Sequence, residues 1–154
     1  MAERSVTHAT FTIERTYDAA PARVFKAFED PVVKRRWFAE GEGWEIEEFA
    51  AEFRVGGYER SQFRFRGGTP VRNDTSYHDI VPNQRIIFAY TMTIGENRIS
   101  ASLATLEFKQ AGSGTQLVFT EQGAFLDGLD NAGPREAGWR DLLEALGKEL
   151  KRHA

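Results

Sequence analysis

The sequence contains no cysteine, which removes disulfides, thiolate metal sites and thiol nucleophiles at once. Histidine is scarce: His8, His78 and His153 are far apart, and no pair has metal-ligand spacing, so no metal site is expected. No stretch approaches the roughly eighteen apolar residues of a membrane span. The opening MAERSVTHAT lacks the apolar segment of a signal peptide, so the expectation is a cytoplasmic protein with no membrane partner. An excess of one charge is also missing. Twenty Lys and Arg against 23 Asp and Glu give a net charge of −3, which exerts no global pull toward nucleic acid. Catalytic signatures are lacking too. There is no GxSxG elbow and no HExxH. Gly56-Gly57 and Gly67-Gly68 bracket strands and cradle no phosphate, and Gly112-Ser113-Gly114 sits between two strands, where a turn is expected. No cofactor and no catalytic residue is therefore assigned.

Aromatic side chains are plentiful: twelve Phe, four Tyr and three Trp in 154 residues. They fit either a β-rich core or the lining of an aromatic cavity. The length suits one domain over residues 1–154 with a proper core, and no repeat, low-complexity segment or linker divides it.

The clearest local signal is AGWRDLLEALGKEL. Trp139, Leu142, Leu143, Leu146 and Leu150 recur at helical spacing and form one apolar stripe, while Arg140, Asp141, Glu144, Lys148 and Glu149 are expected in solvent. With Gly133 and Pro134 just upstream, the spacing predicts a long helix over about 135–152. At the other end, Phe11, Ile13 and Tyr17 alternate with threonines and Glu14 as a period-two strand. Asp18 and Pro21 start a short helix carrying Val24, Phe25 and Phe28, with Asp18 as a candidate cap. Asp30-Pro31 breaks it and opens a second over about 31–38, with Val33, Trp37 and Phe38 as its buried residues. Between these ends the pattern reads as strands at 44–49, 52–55, 58–66, 71–81, 85–93, 98–109 and 115–124, joined by short turns in an antiparallel meander. A lone long helix must lay its stripe on the sheet. The expected fold is α+β: a curved antiparallel sheet of about seven strands wrapped round a long C-terminal helix, with two short helices after strand one.

Four segments carry a resemblance to known proteins: FTIERTYDAAPARVFKAFEDPVVKRRWFA, YHDIVPNQRIIFAYT, GTQLVFTEQGAF and GWRDLLEALGKEL. They resemble the START-like superfamily, the birch-pollen-allergen-like helix-grip fold also called SRPBCC. Within it they are most similar to the family related to the C-terminal domain of the activator of the heat-shock protein ninety ATPase. The resemblance spans residues 11–150. It implies the helix-grip fold and a lipophilic ligand. Such families bind varied ligands and only some members catalyse, so the resemblance does not fix an activity.

The candidate site is the space between sheet and long helix. Its candidates on the sheet are Phe53, Tyr58, Phe63, Phe65, Tyr77, Phe88, Tyr90, Met92, Leu106 and Phe119, opposed by Trp139, Leu143 and Leu146. Parity places Phe88, Tyr90 and Met92 on one face, but it does not say which face residues 58–66 present after the Gly56-Gly57 turn. Glu121 shares parity with Leu117 and Phe119. Its carboxylate either points inward, where it needs a partner, or sits at the solvent rim. Arg54, Arg60, Arg64, Arg66 and Arg72 lie in one stretch and read as a solvated outer sheet face or, alternatively, an anion patch weakened by Glu52, Glu59, Asp74 and Asp79.

Three functions compete. The first is a small cytosolic protein binding a lipophilic or aromatic metabolite in this cavity. The second is an enzyme of cyclase or hydratase type, polyketide-cyclase-like, for which Glu121, His78 and Tyr77 are the only groups to nominate. The third is a co-chaperone-like activator of a heat-shock ATPase. It ranks third because the 154 residues leave no room for the extra N-terminal domain of the eukaryotic activator. Related small domains often pair, so a homodimer stays open.

Overall fold

The computed structural model describes residues 4–152. Strand β1 (Val6–Tyr17) leads into helices α1 (Pro21–Glu29) and α2 (Pro31–Phe38). Strands β2 (Trp44–Ala51), β3 (Tyr58–Phe65), β4 (Val71–Val81), β5 (Arg85–Ile94), β6 (Asn97–Ala111) and β7 (Gly114–Leu126) follow, and α3 (Ala132–Arg152) is the last described element. The strands form one seven-stranded antiparallel sheet in the order β1-β7-β6-β5-β4-β3-β2. This is the expected α+β helix-grip architecture.

The order has a consequence for the site. β1 and β2 are consecutive in the chain but occupy opposite edges of the sheet, so α1 and α2 must carry the chain from one edge to the other. They do so on the concave side, where α2 packs beside α3. Prolines Pro21 and Pro31 occupy the first turns of both helices, where the missing N–H costs nothing. Asp30 Oδ1 accepts from Val32 N–H at 3.0 Å and caps α2. Asp18 does not cap α1: the N-cap is Ala20, without a side-chain hydrogen bond. Pro21 already presets the first turn, so the helix starts without an acidic cap.

Residues 52–55 are not a strand. They form the turn region between β2 and β3, because Gly56 adopts φ 82 and a Cβ on Gly57 would lie 2.1 Å from the Glu52 carbonyl oxygen. Irregular pairing at Ile46/Glu48, Tyr77/Asp79 and Met92/Thr93 adds bends to the sheet.

The core lies between the concave face and α3. Phe11 and Ile13 of β1, Leu106 and Phe108 of β6, and Leu117 and Phe119 of β7 meet Trp139, Leu143, Leu146 and Leu150. Tyr17 Oη donates to the Leu143 carbonyl at 2.7 Å, and Trp37 Nε1 to that of Ala27 at 2.9 Å, so both buried polar tips are satisfied. The long helix starts one turn earlier than its spacing predicts, because Asn131 Oδ1 accepts from Gly133 N–H at 3.1 Å. Glu149 is buried, not solvated, since Arg36 of α2 reaches across to it at 3.1 Å.

Candidate functional site

A cavity of about 640 Å³ lies between α2, α3 and the concave face of β3–β6. Trp37 and Phe38 of α2, Phe63 of β3, Phe88 and Met92 of β5, and Trp139 and Leu142 of α3 give its walls their apolar character. At its rim Trp44, Ile94 and Leu129 are 40%, 38% and 50% exposed. They cluster at the end of the sheet where β2, β4 and β6 begin. Trp44 makes edge contacts with Phe63 and Phe65 at 5.2 and 5.1 Å, which fixes an aromatic lip on the β2–β3 edge. Asp141, Lys148 and Arg152 of α3 border the cavity as well.

The sheet register explains how polar groups reach this interior. Glu59, Thr75, Tyr90 and Ser102 are successive partners across β3, β4, β5 and β6; Ser61, Asn73, Met92 and Ser100 form the adjacent row. All eight face inward, and seven of them are buried, with Met92 partly buried. A polar belt therefore crosses an otherwise apolar concave face.

Two ion-pair clusters satisfy most of the belt. In the first, Arg135 of α3 donates to Glu121 at 3.2 Å, to Tyr90 Oη at 3.0 Å, to Ser100 at 2.7 Å and to Asp130 at 2.6 Å. Tyr90 Oη donates to Glu121 at 2.7 Å and accepts from Trp139 Nε1 at 3.1 Å, while Ser102 donates to the other Glu121 oxygen at 2.9 Å. Burial, followed by the charge of Glu121, pushes the Tyr90 hydroxyl well above the usual phenol range, so it stays a neutral donor. Burial alone would weaken the Arg135 proton, but Tyr90, Glu121 and Asp130 more than offset it and the net shift is upward. In the second cluster Lys34 of α2 pairs with Glu59 at 2.8 Å, and Tyr77 Oη donates to Glu59 at 3.2 Å. Lys34 Nζ also lies 4.8 Å from the Phe38 ring centroid. Burial and then Glu59 raise the Tyr77 hydroxyl beyond the ordinary range.

The structure brings Phe63, Phe88, Tyr90, Met92 and Trp139 together in the cavity wall, whereas Phe65 is exposed and lies outside it. Tyr58 is a correction: β3 leaves its turn with Glu59, Ser61 and Phe63 inward, so Tyr58 lies on the outer face beneath Arg60, 4.5 Å from its guanidinium. Leu106, Phe119 and Leu143 are fully buried and do not border the cavity, because they fill the closed end beneath α3. Phe53 and Tyr77 also lie outside its wall, in edge-to-face contact at 5.0 Å behind the Lys34–Glu59 pair. Glu121 points inward at 0% exposure, but Tyr90 and Arg135 stand between it and the space. His8 and His78 are on outward-facing positions of β1 and β4, and His153 lies outside the described residues. The arginine stretch is a surface lattice of pairs: Arg64 with Glu47 at 3.0 Å, Arg72 with Asp74 at 3.0 Å and Glu48 at 3.2 Å, and Arg54 with Glu52 at 3.3 Å.

Sequence reasoning missed Lys34, Glu59, Asn73, Thr75 and Arg135. The signals existed. Arg135 is four residues before Trp139 and belongs to its stripe, Lys34 sits three residues before Trp37, and Asn73 and Thr75 share strand parity with Tyr77. The partners of the charged ones are remote in sequence, so spacing alone does not show that they are buried.

The sequence matches the family described as Activator of Hsp90 ATPase homolog 1-like protein over residues 18–151. The chain belongs to this family. It is 55% identical to the Mll3558 protein from Rhizobium loti, covering 94% of this chain and 99% of that one, with a TM-score of 0.88. An uncharacterized protein from Rhizobium leguminosarum is 46% identical over 97% of this chain and 99% of that one, with a TM-score of 0.93. DynU16, a protein of the dynemicin biosynthetic locus, shares the fold at 18% identity and a TM-score of 0.69, over 92% of this chain and 47% of that one. No curated protein matches. The START-like fold and the family implied by the sequence are thus both shown.

Proposed function

We propose that this family member is a binding protein that takes a lipophilic or aromatic small molecule into the cavity between α2, α3 and the sheet. The observation that carries the reading is the cavity itself. Its volume of about 640 Å³ falls in the roughly 300–1,000 Å³ range of small-molecule sites. Its wall is mainly aromatic and aliphatic, and exposed Trp44, Ile94 and Leu129 stand at its rim, where a plain core would have closed over them. The buried carboxylates that border it, Glu59 and Glu149, are committed to Lys34 and Arg36, which favours binding over acid–base chemistry. The co-chaperone reading draws on the family description alone.

Gly138 supplies the test. It sits inside α3 and borders the cavity, and a Cβ there would meet nothing within 4 Å. Gly138→Phe should leave the fold intact, since most residues favour a helix over Gly by about 0.5–1 kcal/mol. It should weaken binding of an apolar fluorescent naphthalene probe at least tenfold by occupying the space. Titration should give about one site per chain in the parent. Absence of saturable binding across a varied set of lipophilic compounds would reduce the cavity to an unfilled gap in the core.

A further inference from the structure

Asn73 Oδ1 is the one buried side-chain nitrogen or oxygen among the described residues with no hydrogen-bond partner. Its residue is 6% exposed and lies in the cavity wall. A buried carbonyl oxygen without a donor carries a desolvation cost that native proteins rarely leave standing. Its surroundings offer no relief. The same amide uses its nitrogen on Ser61 at 3.4 Å. Its neighbour across the sheet, Met92, brings no donor. The Tyr90 hydroxyl, in the next row, already gives its only proton to Glu121. The one other uncommitted polar group on this part of the wall is Thr75, two residues on along the same face of β4; its hydroxyl has no side-chain hydrogen bond.

We infer that Asn73 is the polar anchor of the ligand site, and that the ligand is a lipophilic ring compound bearing a hydrogen-bond donor, a phenolic or other hydroxyl group, delivered to Asn73 Oδ1 with Thr75 beside it. The inference rests on the cavity reading above and adds the ligand's chemistry to it. Ring atoms lie against Met92, Phe88 and Trp139, while the hydroxyl reaches the polar belt on β4. A carboxylate ligand is disfavoured here. It would bring a second acceptor to Asn73 Oδ1, and the nearby cation Lys34 already holds Glu59. An ether or a bare hydrocarbon would leave the Asn73 oxygen unpaired in the complex and forgo the hydrogen bond that a hydroxyl supplies.

Two probes test this, one with a hydroxyl donor and one in which a methyl group replaces the hydroxyl proton: 2-naphthol and 2-methoxynaphthalene, titrated by calorimetry and by quenching of tryptophan emission. The parent protein should bind 2-naphthol about tenfold more tightly, the worth of satisfying one buried acceptor. Asn73→Leu should erase that preference by weakening 2-naphthol, with 2-methoxynaphthalene held within about twofold. Asn73→Asp, which keeps an acceptor at the position, should retain the preference. If the leucine variant does not fold, Asn73→Ala reads the same difference. Equal binding of both probes to the parent, or a preference that survives Asn73→Leu, overturns the anchor while the cavity reading stands. Binding of neither probe, nor of any lipophilic compound tried, removes both.

Discussion

Replacing Arg135 by methionine separates the charge network from simple packing. Arg135 is 5% exposed and holds Glu121, which has no exposure at all. The methionine retains an unbranched apolar stem to pack near Phe125 and Tyr90, whose ring centroids lie 5.5 and 5.6 Å from the guanidinium carbon, so the cavity left behind is small. What disappears is the only cation paired with Glu121 among the described residues. Its oxygens keep Tyr90 and Ser102 as donors, but these are neutral. Removing one partner of a buried ion pair costs about 3–5 kcal/mol, because the other charge is left uncompensated. Asp130, the second partner, lies near the surface with a side chain 11% exposed and regains water, so it adds little. The expected loss is about 3–4 kcal/mol, equivalent to a fall of about 10 °C in Tm for a chain of this size. Urea and thermal unfolding followed by circular dichroism measure it. Adding Glu121→Gln to Arg135→Met removes the stranded charge and should recover about 1–2 kcal/mol. A single variant within about 1 kcal/mol of the parent, or a double variant no more stable than the single, would show that the buried charge is not what Arg135 compensates.

Trp139→Ala should cost about 3–5 kcal/mol, because the indole packs on Phe119 at 4.2 Å and donates to Tyr90; a melting curve superimposable on the parent's would remove it as the sheet-facing anchor of α3. Alkaline stability offers a further check. Tyr17 is pushed up to about 12, chiefly by burial, and Tyr77 and Tyr90 are raised as well. The folded protein therefore keeps protons that the unfolded chain loses, so their contribution is whole below pH 10 and falls as pH rises through the folded values. The slope is about 1.4 kcal/mol per pH unit for each tyrosine, and urea unfolding between pH 10 and 11.5 should show about three times that. A flat profile there, or tyrosine ionisation seen at 295 nm before unfolding in a Tyr58→Phe background, which removes the one tyrosine on the outer face, would contradict the burial argument.

Local patterns carried most of the fold. The α3 stripe, the alternation of β1, the Asp30-Pro31 break and the glycine turns are short-range signals, and each element they specify is present. The sequence also located four of the wall residues, Phe88, Tyr90, Met92 and Trp139, through strand parity and helical spacing. It could not orient β3, since the turn at Gly56-Gly57 decides whether Tyr58 or Glu59 faces inward and a one-residue shift inverts every side chain. Nor could it distinguish a charged residue in solvent from one buried beside a distant partner. Lys34 and Glu59 are 25 positions apart, and Glu149 finds Arg36 across 113. Only the sheet order, which sets β1 and β2 on opposite edges and sends α2 across the concave face, brings those charges together. The polar belt and the unpaired Asn73 oxygen follow from cross-strand register, a long-range property that no window of sequence contains.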